Sequence, residues 1–434
     1  MRNLTSFWAL SLCLGTLWGQ VDDEFWFVAP EVISDHGDLP IYLRFATFDV
    51  PADVTVDMPA NGTYEAFEFT IPASSAYSLD LTSLVTVHEN QPFNEVLDKG
   101  VRITSSAAVS AYYEVSHVNN PDIFALKGDN ALGTSFHLPF QNFTNNGFNT
   151  TSGFDIVATE DNTVVTITPT QDLIGHPAGI PFDISLPVAG STYSGRASGS
   201  EASDHATGTV ITSNLPVAVT VHDDSASGAM FGGGCLDLMG DQIVPDQVLG
   251  TEYVAIHGYL GGDDRLQFVA TENNTTVTVD GATVATLQAG QSHSHTLNTP
   301  SAFIEASAPV AIWQSTGFGC ELGGAQLPSV KCTGSTSTVF VRSTSETMRL
   351  NILVPNGGQG DFLFNGNAGV INAGNFAVVP GNTDWMFAQV TTLEGQIPVG
   401  EATRIENTST PFHLGIINGG ASSGTRFGYF SDYG

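Results

Sequence analysis

The residues able to do chemistry are few, scattered and mostly acidic. His222-Asp223-Asp224 closes an apolar run, and Asp237 and Asp241 flank a Gly-containing segment further on. Carboxylate oxygens are the hard donors that calcium prefers, so Asp223, Asp237 and Asp241 are the candidate calcium ligands. No EF-hand or calcium-repeat spacing accompanies them, and a solvated loop is the competing expectation for His222–Asp224. His293-Ser294-His295 places two imidazoles on one strand face without a third ligand nearby. The sequence lacks the H-E-x-x-H pattern of zinc proteases. No enzyme is expected, and no cofactor beyond calcium.

Arg2 followed by the apolar stretch Phe7–Leu17 reads as a signal peptide over residues 1–20. Export permits disulfides. Cys13 falls in the leader, leaving Cys235, Cys320 and Cys332. Cys320 and Cys332 enclose a short loop and are the expected pair, with Cys235 left over. With 44 acidic against 12 basic residues the net charge is −32, which repels nucleic acid and anionic membrane surfaces. No later segment is long and apolar enough to span a membrane.

Positioning falls to strands, because charged residues are only 13% while Gly, Thr, Ser, Val and Asn abound. Residues 154–167 (FDIVATEDNTVVTI) and 266–279 (LQFVATENNTTVTV) share eight of fourteen positions. Each reads as a β-hairpin turning at Asp161-Asn162 or Asn273-Asn274, with Val165, Ile167, Val277 and Val279 on one buried face. A second element recurs at 101–114, 209–223, 302–315 and 403–418. Its anchors Ala108, Pro216, Pro309 and Pro411 are 108, 93 and 102 residues apart. A third opens each copy, clearest at 132–140 and 249–258.

The expected fold is all-β: four tandem β-sandwich-like repeats of about 100 residues, stacked or closed into a ring. Their expected bounds are 21–130, 131–248, 249–336 and 337–434. Gly240-Asp241-Gln242 is expected to form a repeat-boundary loop, its amide bonding backbone across the boundary. Gly128-Asp129-Asn130 and Gly324-Ala325-Gln326 are its expected counterparts. Trp26, Trp313, Trp385 and Tyr253 fall within strand patterns and are expected in the core.

These pieces resemble the IgGFc-binding protein N-terminal family. The resemblance rests on Ile156–Glu160 with Thr163 and Val165, on Val210–Val219, on Gly234–Pro245, on Leu249–Tyr253 and on the Cys320–Cys332 segment. It covers about residues 24–434. It implies a secreted or cell-surface recognition role, bacterial members being similar to surface proteins of Bacteroidota-type organisms. Such regions often continue into a sorting or adhesion module, which here would follow Phe427–Tyr433. The expected function is binding or adhesion to an extracellular glycoprotein, mucin or cell-surface component through loops. A structural spacer and a polysaccharide-active enzyme, which needs two opposed carboxylates, are the alternatives.

Overall fold

The computed structural model describes residues 21–331 and 333–431. The expected leader and Cys332 lie outside the described residues. The chain builds four β-sandwiches of one topology. In the second, one layer orders Gly133–His137, the first part of Val210–Ser227, Thr163–Thr168 and Phe182–Leu186. The other orders Thr192–Arg196, Ser152–Ala158, the second part of Val210–Ser227 and Leu236–Ile243. The first sandwich repeats this plan around Val101–Val115. The third and fourth break the long strand into Ser301–Ala306 with Val310–Gly319, and Ala402–Asn407 with His413–Gly419.

This topology corrects the hairpin expectation. Ser152–Ala158 and Thr163–Thr168 do not pair with each other; each pairs with a different part of the same long strand. The turn between them is a corner that passes the chain from one layer to the other. Asn162 and Asn274 supply the left-handed φ at these corners, 62° and 61°. Val165, Ile167, Val277 and Val279 are all buried, so the period-two reading of these strands holds. Each sandwich fills its interior with an apolar cluster to which a neighbouring sandwich also contributes, and Trp26, Trp313 and Tyr253 are buried while Trp385 packs partly buried.

The four closing strands, Asp122–Ala125, Leu236–Ile243, Glu321–Gln326 and Thr425–Tyr429, lie side by side around a central hub. Each contacts the next, and the last returns to the first, so the sandwiches close into a ring. Strand edges meeting edges leave backbone N–H groups that must find acceptors. Acidic and amide side chains provide them. Asp122 accepts from Gly240 N (3.0 Å) and Phe427 N (3.2 Å), Asp237 from Leu322 N (2.9 Å), and Glu321 from Gly424 N (3.0 Å). The same amide contact occurs twice, with Gln242 Oε1 taking Lys127 N and Gln326 Oε1 taking Val244 N, both at 2.8 Å.

Gly240, Asp241 and Gln242 therefore sit in a hub strand, not in the boundary loop expected of them. All three are buried. A Cβ on Gly240 would stand 2.1 Å from the Phe124 ring, so close approach of the first and second sandwiches requires glycine there. Gln242 does bond backbone across the boundary, donating also to Trp26 O at 2.7 Å. Register corrects one counterpart: Ala125, Gln242 and Gln326 face Tyr112, Thr220 and Trp313. Gly128-Asp129-Asn130 instead forms a 3-10 turn, Gly128–Ala131, beyond the first hub strand.

Neighbouring sandwiches also meet through one recurrent turn, at residues 187–191, 287–291, 379–382 and 72–75. Gly190, Gly290, Gly381 and Ser74 hold its left-handed position, with φ of 86°, 76°, 77° and 51°. Gly290 faces Gly208, itself at φ 86°, where an added Cβ would lie 1.9 Å from the Gly290 carbonyl oxygen. Gly208→Ala is expected to cost about 1–3 kcal/mol, read as a lowered urea midpoint, since strain and backbone overlap act together. An unchanged midpoint would show that this contact does not hold the second and third sandwiches.

Candidate functional site

The turns leading into the hub strands gather on one face of the ring. Residues 116–121, 228–235, 319–320 and 420–424 meet there, as close approaches of Gly424 to Pro121, Gly319 to Ala421 and Gly228 to Cys320 show. Cys320 is bonded to Cys235, with Cα atoms 5.6 Å apart and a sequence separation of 85. This corrects the expected Cys320–Cys332 pair. Because Leu236–Ile243 and Glu321–Gln326 are neighbours in the hub, the turns before them are neighbours too, and the bridge joins the second sandwich to the third.

Three large apolar side chains stand exposed on these turns and the adjoining loop 138–151. They are Val118 (65% exposed), Phe148 (53%) and Met230 (47%). The backbone around Phe148 is anchored. Phe148 and Asn149 both adopt left-handed φ, 49° and 56°, and Ser225 below them has φ 60° at a bulge of the long strand. Non-glycine residues in this region cost energy and persist where surrounding contacts hold them. The Phe148 ring packs on His36, with centroids 5.0 Å apart.

His36, Asp224 and Ser225 bring together the residue types of a hydrolytic triad, yet their geometry differs from one. Ser225 Oγ (2.7 Å) and Asp224 Oδ1 (3.0 Å) both approach the same His36 nitrogen, Nδ1. A relay needs the acid and the nucleophile on opposite nitrogens. Ser225 is also fully buried. Asp224 instead fastens the first sandwich to the second, accepting from Ile33 N at 3.0 Å and Asn120 Nδ2 at 3.4 Å.

The calcium candidates do not converge. Asp223 is bonded by Gln141 Nε2 and Asn146 Nδ2 and so orders the loop 138–151. Asp241 is paired with the Lys127 ammonium at 2.7 Å, a cation already in place. Asp237 lies against Glu321 and the Leu322 N–H; burial first, then the Glu321 carboxylate, pushes its pKa well above the ordinary range. His222, expected beside a loop, is buried in the long strand against Asp155 at 3.1 Å. His293 and His295 flank the Phe268 ring on their strand, a packing role.

Among known families, residues 124–417 match the model described as IgGFc binding protein. The chain belongs to this family. The match runs from the first hub strand to the fourth sandwich and includes the disulfide, Phe148 and Met230. No curated protein matches the chain. A solved structure described as a tetra-tandem repeat in the extending region of a large adhesion protein aligns at 12% identity. It covers 92% of this chain and 97% of that one, with a TM-score of 0.09, too low to carry argument. Among the described residues no helix is long and apolar enough to cross a membrane.

This IgGFc-binding family member also has a groove of about 680 Å³ at the loop end of its second sandwich, reaching the turn at 289–292 of the third. Its walls carry Asn142, Thr170, Gln171, Ser203, His205 and Gln291, and no Asp, Glu, Lys or Arg lines it. In a chain of net charge −32 that neutrality is local and specific. Sequence reasoning singled out neither the groove nor Val118, Phe148 and Met230. The one available signal was Met230-Phe231 running into three consecutive glycines, an apolar pair where a turn should be polar.

Proposed function

We propose that the chain is an extracellular binding protein that recognises a glycoprotein through the turn face of its ring. Family membership and the inter-sandwich disulfide support export and binding. The observation that carries the reading is the exposure of Val118, Phe148 and Met230, with the Phe148 backbone held in the left-handed region. Rigid, exposed apolar anchors bind without a large ordering cost, which is how a few side chains come to dominate an interface. The uncharged groove of the second sandwich suits neutral sugar hydroxyls, which exchange hydrogen bonds with Asn, Gln, Ser and Thr.

Retention on an array of mucins, matrix glycoproteins and immunoglobulin Fc tests this directly. Phe148→Ser is expected to weaken retention about tenfold, the equivalent of 1.4 kcal/mol. A spacer would retain nothing on any spot, and that outcome would remove the binding reading. Retention undiminished in a Val118→Ser, Phe148→Ser, Met230→Ser triple variant would move the contact surface elsewhere.

A further inference from the structure

Lys127 and Asp241 are a fully enclosed lysine–aspartate pair, with side chains 0% and 1% exposed. Lys127 follows the first hub strand, and Asp241 sits within the second. The Lys127 Nζ donates to Asp241 Oδ1 at 2.7 Å, to Ala125 O at 3.2 Å and to Gln242 O. Asp241 Oδ2 accepts from the Gln326 N–H at 3.1 Å, so its two oxygens are held by different partners. We propose that Lys127 and Asp241 condense into a side-chain amide, a covalent link between the first and second sandwiches.

The step balances without any further reactant. A proton moves along the 2.7 Å hydrogen bond from the ammonium to Oδ1, giving a neutral amine beside a carboxylic acid. Burial favours that exchange from both sides, lowering the lysine pKa and raising that of the aspartate. Burial holds the neighbouring Asp122, bound to the Gly240 N–H next to Asp241, well above the ordinary carboxylate range. The Nζ lone pair then attacks Cγ, forming the C–N bond while the C=O electrons move onto Oδ2. The Gln326 N–H faces that oxygen and stabilises its charge, as an oxyanion-hole donor does. A proton passes from nitrogen to Oδ1, which leaves as water when the carbonyl reforms at Oδ2. One C–N bond forms and one C–O bond breaks, with no change in oxidation state. The fold supplies the proximity that makes an unactivated acid and amine react.

Peptide mass spectrometry of the purified, reduced and denatured full chain tests the link, whatever the protein binds. The expected species joins the peptide containing Lys127 to that containing Asp241, at their summed mass less one water. Asp241→Asn should give the same junction with loss of ammonia instead. Lys127→Arg should give none. Wild-type Lys127 and Asp241 recovered in separate, unmodified peptides would overturn the proposal, as would a linked species persisting in Lys127→Arg.

Discussion

Replacing Glu114 by Ala should destabilise the protein by about 3–5 kcal/mol, because it strands two buried guanidinium groups at the point where the ring closes. Glu114 ends the long strand of the first sandwich and is 0% exposed. Arg44 Nε reaches its Oε2 at 2.7 Å from the same sandwich, and Arg426 Nε reaches its Oε1 at 2.8 Å from the last hub strand. Ser343, also in the fourth sandwich, donates to Oε2 at 3.0 Å. Burial alone would raise this carboxyl, but Arg426 and Arg44 together hold it below the usual carboxylate range. The first and fourth sandwiches are far apart in sequence and joined by no covalent bridge among the described residues. Loss of Glu114 should therefore lower the urea midpoint and raise the unfolding slope's sensitivity to the ring contact. Changing Arg44, Glu114 and Arg426 together to apolar residues should cost much less than Glu114→Ala alone. A single variant within about 1 kcal/mol of wild type would show that the ring closes by other means.

The contrast between strand and hub explains what could be read before the structure. Val165, Ile167, Val277 and Val279 bury one face of strands that pack within their own sandwich, so local alternation announces them. The hub does not obey that rule. Leu236–Ile243 contains Asp237, Gly240, Asp241 and Gln242, a composition that signals a turn, yet it is buried because its partners are N–H groups of other sandwiches. Nothing within the segment reveals acceptors being spent on groups roughly 80 residues away.

The disulfide misled for the same reason. Proximity in sequence favours Cys320 with Cys332, whereas ring closure brings Cys235 beside Cys320. The corner turns misled differently. Asn at left-handed φ serves a hairpin and an inter-layer corner alike, so turn chemistry locates the bend without saying which sheet receives the next strand. One signal is readable in the sequence: Ala189-Gly190-Ser191 and Ala289-Gly290-Gln291 are the same inter-sandwich turn, visible as a repeat once its period is known. As for the turn face, single apolar residues in loops are ordinary in any protein, and only their convergence in space distinguishes Val118, Phe148 and Met230.

Raising the pH from about 6.5 to about 8 should destabilise the protein by roughly 2 kcal/mol, against the habit of acid-rich chains to gain stability there. Glu89 is the main cause. It is 3% exposed, accepts from Val32 N at 3.2 Å, and its pKa is pushed up to about 8 by burial, with Asp38 and Glu31 adding repulsion. A carboxyl raised in the native state binds a proton that the unfolded chain has already released. Stability is then full below the unfolded value and declines as pH climbs toward the native one, by at most about 1.4 kcal/mol per unit. Asp122 and Asp237, raised chiefly by burial in the hub, push the same way. Below about pH 6.5 two buried imidazoles oppose them. His88 and His413 are held down to about 4 by burial, so the unfolded chain gains protons that the native one refuses. The Glu114 contribution runs the other way again, being present above the ordinary carboxylate range and lost only as pH falls through its lowered native value. Glu89→Gln keeps the shape and the Val32 contact while removing the titration, so its melting temperature should change less over that interval than wild type. A wild-type melting temperature that rises with pH, or a Glu89→Gln profile parallel to it, would place the titrating group somewhere other than this contact within the first sandwich.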